Sequence, residues 1–194
     1  MATRTSAAFG TRRRGELFDA LLALFLREGF AHLTLDDIAA RLRCSKGTLY
    51  RLASSKEQLV HAVTVHFFRR ATDDVERRVA PVDGARARIT AYLTAVGAAL
   101  EAASDQFMAD LDANAAARAV YEQNTAIAAR RVGELIGEGV ATEEFRDVHA
   151  AFAADLAAAM MVRIQQGTVR TTTGLDDASA YRELAAILTA GINA

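Results

Sequence analysis

The chain has 194 residues, of which 52% are hydrophobic and 24% charged, with one Pro, one Cys and no Trp. That composition suits a folded core. It leaves no intrachain disulfide, which fits a reducing, cytoplasmic setting, and it offers neither an apolar leader at Met1–Gly10 nor a run of about 18 apolar residues to span a bilayer. The formal net charge of −1 conceals two parts of opposite sign: residues 1–80 carry 14 Lys and Arg against 9 Asp and Glu, a net of +5, and residues 81–194 carry 9 against 15, a net of −6. A basic N-terminal part suits a polyanion, and an acidic remainder does not.

Long Pro-free stretches rich in Ala, Leu, Arg and Glu predict an all-α fold of about nine helices, and no β-branched alternation argues for a sheet. Residues 1–11 are small and polar with scattered Arg and read as a flexible arm. After Arg12, Arg13 and Arg14, the residues Leu17, Phe18, Leu21, Leu22, Leu24 and Phe25 recur at helical spacing and predict a first helix ending near Glu28, with Gly29 at C′. Thr34 is placed to cap a short second helix, Leu35 to Leu42, with Asp37 at N3 in a variant capping box. Ser45 caps a third helix that reaches Leu52. Ser55, with Gln58 at N3, opens a fourth that carries Leu59, Val63, Phe67 and Val75 and runs to about Val79. Pro81-Val82-Asp83-Gly84 breaks the pattern. Five further helices are expected over 85–102, 104–112, 115–137, 143–166 and 177–192, with a polar loop from Gly167 to Gly174 and Asp176 capping the last.

Residues 34–52 have the size of a helix-turn-helix, in which the second of two short, steeply crossed helices enters the major groove. Ile38, Ala39, Leu42 and Leu49 are expected to pack inward and fix the crossing angle. Ser45, Lys46, Thr48 and Arg51 then face outward at the start of the second helix. Gly47, with no side chain, lets the backbone come close to a duplex. Of 23 basic residues only Lys46 and Lys56 are lysines, and both fall in this stretch. A compact ammonium suits a phosphate oxygen near a helix N-terminus.

The run Thr34-Leu35-Asp36-Asp37-Ile38-Ala39, then Ser45-Lys46-Gly47-Thr48-Leu49-Tyr50, then Ser55-Lys56-Glu57-Gln58-Leu59 resembles the DNA-binding domain of the tetracycline-repressor (TetR) family of bacterial regulators. Arg27-Glu28-Gly29-Phe30 at the end of the leading helix matches it too. The resemblance covers residues 12–65. It implies an N-terminal three-helix DNA-binding domain over 12–56, a connecting helix over 57–80, and a ligand-binding and dimerisation domain over 81–194. By that resemblance Thr34 and Tyr50 contact phosphates, while Ser45, Lys46, Gly47, Thr48 and Arg51 lie on the recognition helix. Lys56 holds the DNA backbone, and Arg12, Arg13 and Arg14 reach phosphate or minor groove. One departure stands out: the family has a Phe where this chain has Ala53, and Leu52 or Phe30 is expected to fill that space.

The same resemblance implies a homodimer joined through the last two helices. Ala150, Ala151, Ala153, Ala154, Ala157, Ala158 and Ala159 would permit close packing there. It implies a ligand cavity in the middle helices, with Tyr92, Phe107, Met108, Tyr121, Phe152 and Met160 as lining residues, Gln123, Asn124, His149 and Arg163 as polar groups, and a hydrophobic effector. The function expected is that of a repressor released from a palindromic operator by a small molecule, needing no cofactor or metal. An enzyme is not expected. His32, His61, His66 and His149 form no zinc motif, Cys44 stands alone, and no Gly-rich phosphate loop or nucleophile elbow is present. The remaining alternative is a helical ligand- or protein-binding module without DNA binding.

Overall fold

A computed structural model describes residues 2–146 and 148–192, with side chains described from Arg13 onward. Ten helices and no strand are found among the described residues: α1 (Ala2–Glu28), α2 (Leu35–Arg41), α3 (Lys46–Tyr50), α4 (Lys56–Val79), α5 (Ala85–Glu101), α6 (Asp105–Ala113), α7 (Ala115–Ala141), α8 (Ala150–Gln165), α9 (Thr168–Thr173) and α10 (Asp177–Gly191). The all-α expectation holds, with corrections at four places. Helix α1 starts at Ala2, so residues 2–11 are helical where an arm was expected; no Pro interrupts them. Helix α7 continues to Ala141. Helix α8 begins only at Ala150, because Glu143 turns into the left-handed region (φ 59°) and breaks the periodicity. The expected loop after α8 contains α9, closed at each end by a left-handed glycine, Gly167 (φ 70°) and Gly174 (φ 78°). Inside α9 the hydroxyls of Thr171, Thr172 and Thr173 each donate to the carbonyl four residues back, so a polar sequence satisfies itself as a helix.

The chain packs as two units, one of Met1–Phe67 with Ala103–Val120 and one of Phe68–Ala102 with Tyr121–Ala194. The division does not fall at the Pro81 turn. It falls inside α4 and again at the start of α7, and it assigns α6 to the N-terminal unit. The reason is apolar. Phe107 of α6 lies edge-on to Phe30 (centroids 6.0 Å) and to Phe67 (5.8 Å), and Phe30 is 5.4 Å from Phe25. Leu21, Leu33, Ile38, Leu49, Leu59 and Val63 complete that core. Each such side chain contributes on the order of 1.5–3 kcal/mol when fully buried.

In the second unit, Ile89 and Leu93 of α5 pack with Val132, Leu135 and Ile136 of α7, Met161 and Ile164 of α8, and Tyr181 and Ala185 of α10. Helices α5 and α10 lie unusually close. A Cβ placed on Gly97 would sit 3.0 Å from the Ala178 carbonyl oxygen and 3.2 Å from Tyr181 Cβ. The opening of α5, whose N-cap is the side-chain-free Gly84, is served from a distance. Glu144 accepts from Ala85 N at 2.6 Å and Arg86 N at 2.9 Å. Phe145 then packs on Gly139. Filling the α5–α10 contact is predicted to be costly: Gly97→Val loses about 1–3 kcal/mol of stability by overpacking, read as a lower urea midpoint with an unchanged m-value.

Candidate nucleic-acid interface

Two local capping arrangements shape the helix-turn-helix. Thr34 Oγ1 accepts from Asp37 N at 3.1 Å, and Asp37 Oδ2 accepts from Thr34 N at 2.9 Å and from Thr34 Oγ1 at 2.6 Å. The hydrogen bonds from the Thr34 hydroxyl and backbone hold the Asp37 carboxyl below its ordinary range. At the next helix, Ser45 Oγ accepts from Thr48 N at 3.2 Å and lies 2.9 Å from Thr48 Oγ1, which in turn accepts from Arg51 Nη2 at 3.2 Å. Between them Arg43 takes a left-handed φ of 49°, and Cys44 N donates to Ala39 O at 2.9 Å, which ends α2 sharply. Leu49 and Ile38 are buried and set the crossing. An ion pair between Arg41 and Glu28 joins α2 to the end of α1.

The outer edge of α3 is bare. Ser45, Lys46, Gly47, Tyr50 and Arg51 are exposed, Thr48 is half-buried, and the Tyr50 ring is 51% exposed. A Cβ on Gly47 would meet nothing nearer than Ser45 Oγ at 3.8 Å, so packing does not require glycine there. Lys46 is not idle: its Nζ donates to Asp36 Oδ2 at 2.7 Å, and that hydrogen bond raises its pKa. Beside α3 runs a groove of about 700 Å³ lined by Arg13, Arg14, Arg43 and Arg51, with Ser45, Thr48 and a single carboxylate, Glu16. Arg12 lies in α1 outside the described side chains.

Lys56, expected to hold the DNA backbone, also has a partner within the chain. Its Nζ donates to Ala31 O at 2.8 Å. The same peptide turn is held from the other side by a residue that sequence reading did not single out. Asp110 Oδ2 accepts from Phe30 N at 2.6 Å and Ala31 N at 2.7 Å, and Asp110 Oδ1 accepts from Gln106 Nε2 at 2.7 Å. Gly29 makes this possible, with φ 78° and a position where a Cβ would stand 2.5 Å from Asp110 Oδ2. Ser104, the N-cap of α6, adds a bond from its N–H to Leu26 O at 2.8 Å. Burial alone would raise the Asp110 pKa, but the amides of Ala31 and Phe30 and the Gln106 side chain outweigh it and hold the carboxyl below its usual range. The partners lie 79 and 80 positions away in sequence, so no local pattern announces them.

The expected ligand-lining residues are divided between the two units. Tyr92 and Tyr121 are buried in the second unit and Met160 is half-buried on α8. Phe107 is core in the first unit, against Phe30 and Phe67, and Met108 beside it in sequence is half-buried. Phe152 is 68% exposed. Of the polar groups, Asn124 accepts from Thr72 Oγ1 at 3.3 Å, His149 Nδ1 accepts from Phe152 N at 3.3 Å as the cap of α8, and Gln123 and Arg163 are exposed. Among the described residues no cluster of three or more His, Cys, Asp or Glu is arranged to hold a metal, and no helix is long and apolar enough to cross a membrane.

Residues 17–63, which contain both capped helices and the α1–α2 turn, match the profile of the bacterial regulatory proteins of the tetR family. That match is confined to the helix-turn-helix region and the ends of the helices that flank it. Solved structures agree on the TetR-like fold along the whole length. A transcriptional regulator from Saccharomonospora viridis, in complex with choline, superposes with a TM-score of 0.73 at 17% identity, over 95% of this chain and 99% of its own. A TetR/AcrR-family regulator from Thermobifida fusca gives 0.65 at 22% identity over 93% and 98%. The ketosteroid transcriptional regulator KstR2 of Mycobacterium tuberculosis gives 0.58 at 20% identity over 94% and 95%. A search of curated proteins by sequence returns no match. The fold of this chain is therefore the one that these solved structures share.

The Asp110 clamp yields a prediction. Asp110→Ala strips the buried amide of Phe30 and the part-buried amide of Ala31 of their acceptor and is expected to cost about 1–3 kcal/mol. Because the folded carboxyl titrates below its unfolded value, its contribution is complete at neutral pH and fades as pH falls through the folded pKa. Unfolding curves from pH 7 down through the carboxylate range should therefore converge for wild type and variant at the acid end.

Proposed function

We propose that this chain is a homodimeric repressor of the TetR family that reads a palindromic operator with α3 and is released from it by a small, mainly hydrophobic molecule. The observation that carries the reading is the bare edge of α3: polar and basic side chains point outward around a glycine that packing does not demand. A duplex groove asks for such an edge, because the backbone must approach base edges without a Cβ in the way. In this reading Ser45, Lys46, Thr48 and Arg51 face the bases, Thr34 and Tyr50 meet phosphates, and Arg13 and Arg14 extend the basic track. Arg12 is assigned to that track by the resemblance alone. Lys56 keeps two ammonium donors for a phosphate while the third stays on Ala31 O.

Support for the dimer comes from α8 and α10, which pack on one another and leave large apolar side chains in water. Phe152 is 68% exposed and Leu156, one turn on, 55%; Ile187 of α10 is 70% exposed. Such a patch marks an interface, and a second copy of the same two helices closes it with two-fold symmetry. The symmetric pair would set two recognition helices about 34–36 Å apart or a multiple of it. The repressor mode follows the usual habit of the family. Small-molecule release is supported by the company the fold keeps, since one relative of this shape is a choline complex and another a ketosteroid regulator. Helix α4 is the physical link: it starts at Lys56 in the first unit and ends at Val79 in the second. A ligand shifts DNA affinity only by binding the DNA-competent and incompetent states unequally.

The deciding experiment is selection of bound sequences from random duplexes by the purified protein. A two-fold symmetric consensus is expected, with binding that weakens steeply as salt rises. No enrichment at low ionic strength, from folded protein, would leave the module without DNA binding as the correct reading. The double variant Phe152→Glu, Ile187→Glu should sediment as a monomer and lose the symmetric consensus.

Gly47→Ala separates folding from recognition. The free protein should gain about 0.5–1 kcal/mol, since alanine favours the helix and the space is open. Operator affinity should fall at least about tenfold, the equivalent of 1.4 kcal/mol. Unchanged affinity would remove α3's close approach from the mechanism.

A further inference from the structure

Two hydroxyls in the second unit, Tyr121 Oη and Thr125 Oγ1, have no hydrogen-bond partner among the protein's own described groups. Both residues are 3% exposed. Four positions apart on α7, they share one helix face. The other buried threonines show what a helix ordinarily offers such a group. Thr64 Oγ1 donates to Val60 O at 2.9 Å and Thr189 Oγ1 to Ala185 O at 2.8 Å, in each case the carbonyl one turn back. The exposed Thr90, Thr142, Thr171 and Thr172 do the same. Thr125 forgoes that bond. Tyr121 stacks on Phe68, with ring centroids 5.0 Å apart and planes at 23°, so its hydroxyl is held at a fixed place.

A buried hydroxyl without a partner is costly, and native proteins retain few. Two on one face, one of them declining the bond that the buried Thr64 and Thr189 make, point to a partner from outside the chain. We infer that Tyr121 Oη and Thr125 Oγ1 form the polar end of a buried site for an uncharged, mainly apolar molecule that carries a carbonyl-type acceptor. A phenol and an alcohol are each donors that such an oxygen accepts. Burial first, then Tyr181 and Asp177, push the Tyr121 pKa well above its ordinary value, which keeps the phenol a donor at physiological pH. Burial away from water likewise disfavours an anionic ligand. The inference deepens the effector reading above and rests on it for the ligand's regulatory role.

The test uses the full chain and two shape-conserving variants, Tyr121→Phe and Thr125→Val. Without additive, each removes a hydroxyl that the protein leaves unpaired, so each is expected to raise Tm by about 2–4 °C. A fall in either variant would show that hydroxyl already satisfied, by water or otherwise, and overturns the site. With octan-2-one and octanoate at equal concentrations, the ketone should raise the wild-type Tm more than the acid does, and both variants should lose the ketone's increment. No ketone shift, a larger shift with octanoate, or an undiminished shift in both variants also overturns it. Operator binding in the same samples separates the two ideas. If the ketone binds through the hydroxyls and operator affinity is unchanged, the effector reading fails and the site stands. If the ketone releases operator from wild type and both variants alike, the site fails and the effector reading stands.

Discussion

The helix-turn-helix hangs on one buried carboxylate. Asp110 takes the amides of Phe30 and Ala31 just after the left-handed Gly29, and Lys56 takes the carbonyl of Ala31 from the opposite side. One peptide turn is thereby tied to α6 and to the first residue of α4. That turn leads from α1 into α2, so the direction in which α2 and α3 leave the core is set there. Charge-assisted bonds of this kind are short and strong, and in a shielded place they define geometry more narrowly than apolar contact does. The apolar layer beneath agrees with them, because Phe107 joins Phe30 and Phe67 from the same helix that supplies Asp110.

Around this fixed point the N-terminal unit divides its polar groups into two kinds. Thr34, Asp37, Ser45 and Thr48 spend hydrogen bonds on helix ends, where four amides per helix otherwise lack partners. Lys46, Tyr50 and Arg51 extend past those caps. The acidic second unit follows another logic: small residues bring helices close, as at Gly97 against Ala178, and distant carboxylates finish helix ends, as Glu144 does for α5. Its apolar surplus is left on α8 and α10, where Phe152, Leu156 and Ile187 face water in the single chain.

What could be read from sequence was what is local. The Thr34–Asp37 box, the Ser45 and Asp176 caps and the Gly29 terminator each sit within three or four residues of the groups they serve, and all are found where the spacing placed them. The periodic apolar residues of α4, α5 and α10 were equally legible. Long-range choices were not. Nothing near Asp110 shows that its partners are Phe30 and Ala31, so α6 reads as part of the second domain and Phe107 as a ligand contact. Helix α9 hides in a threonine run of low helix propensity because side-chain bonds to the backbone, not propensity, sustain it. That Lys56 also reaches the Ala31 carbonyl was not legible, because sequence shows charge and spacing but not the acceptor. Thr125 could not be noticed at all: its distinction is a bond it does not make.

The Lys46–Asp36 pair has a consequence for how such a head would meet nucleic acid. In the proposed reading, the leading ammonium is already paired with a neighbour on α2, so the reading edge presents less bare charge than a tally of cations suggests. Both members of the pair are solvent-exposed, so the lysine can exchange one anion for another without a deep barrier.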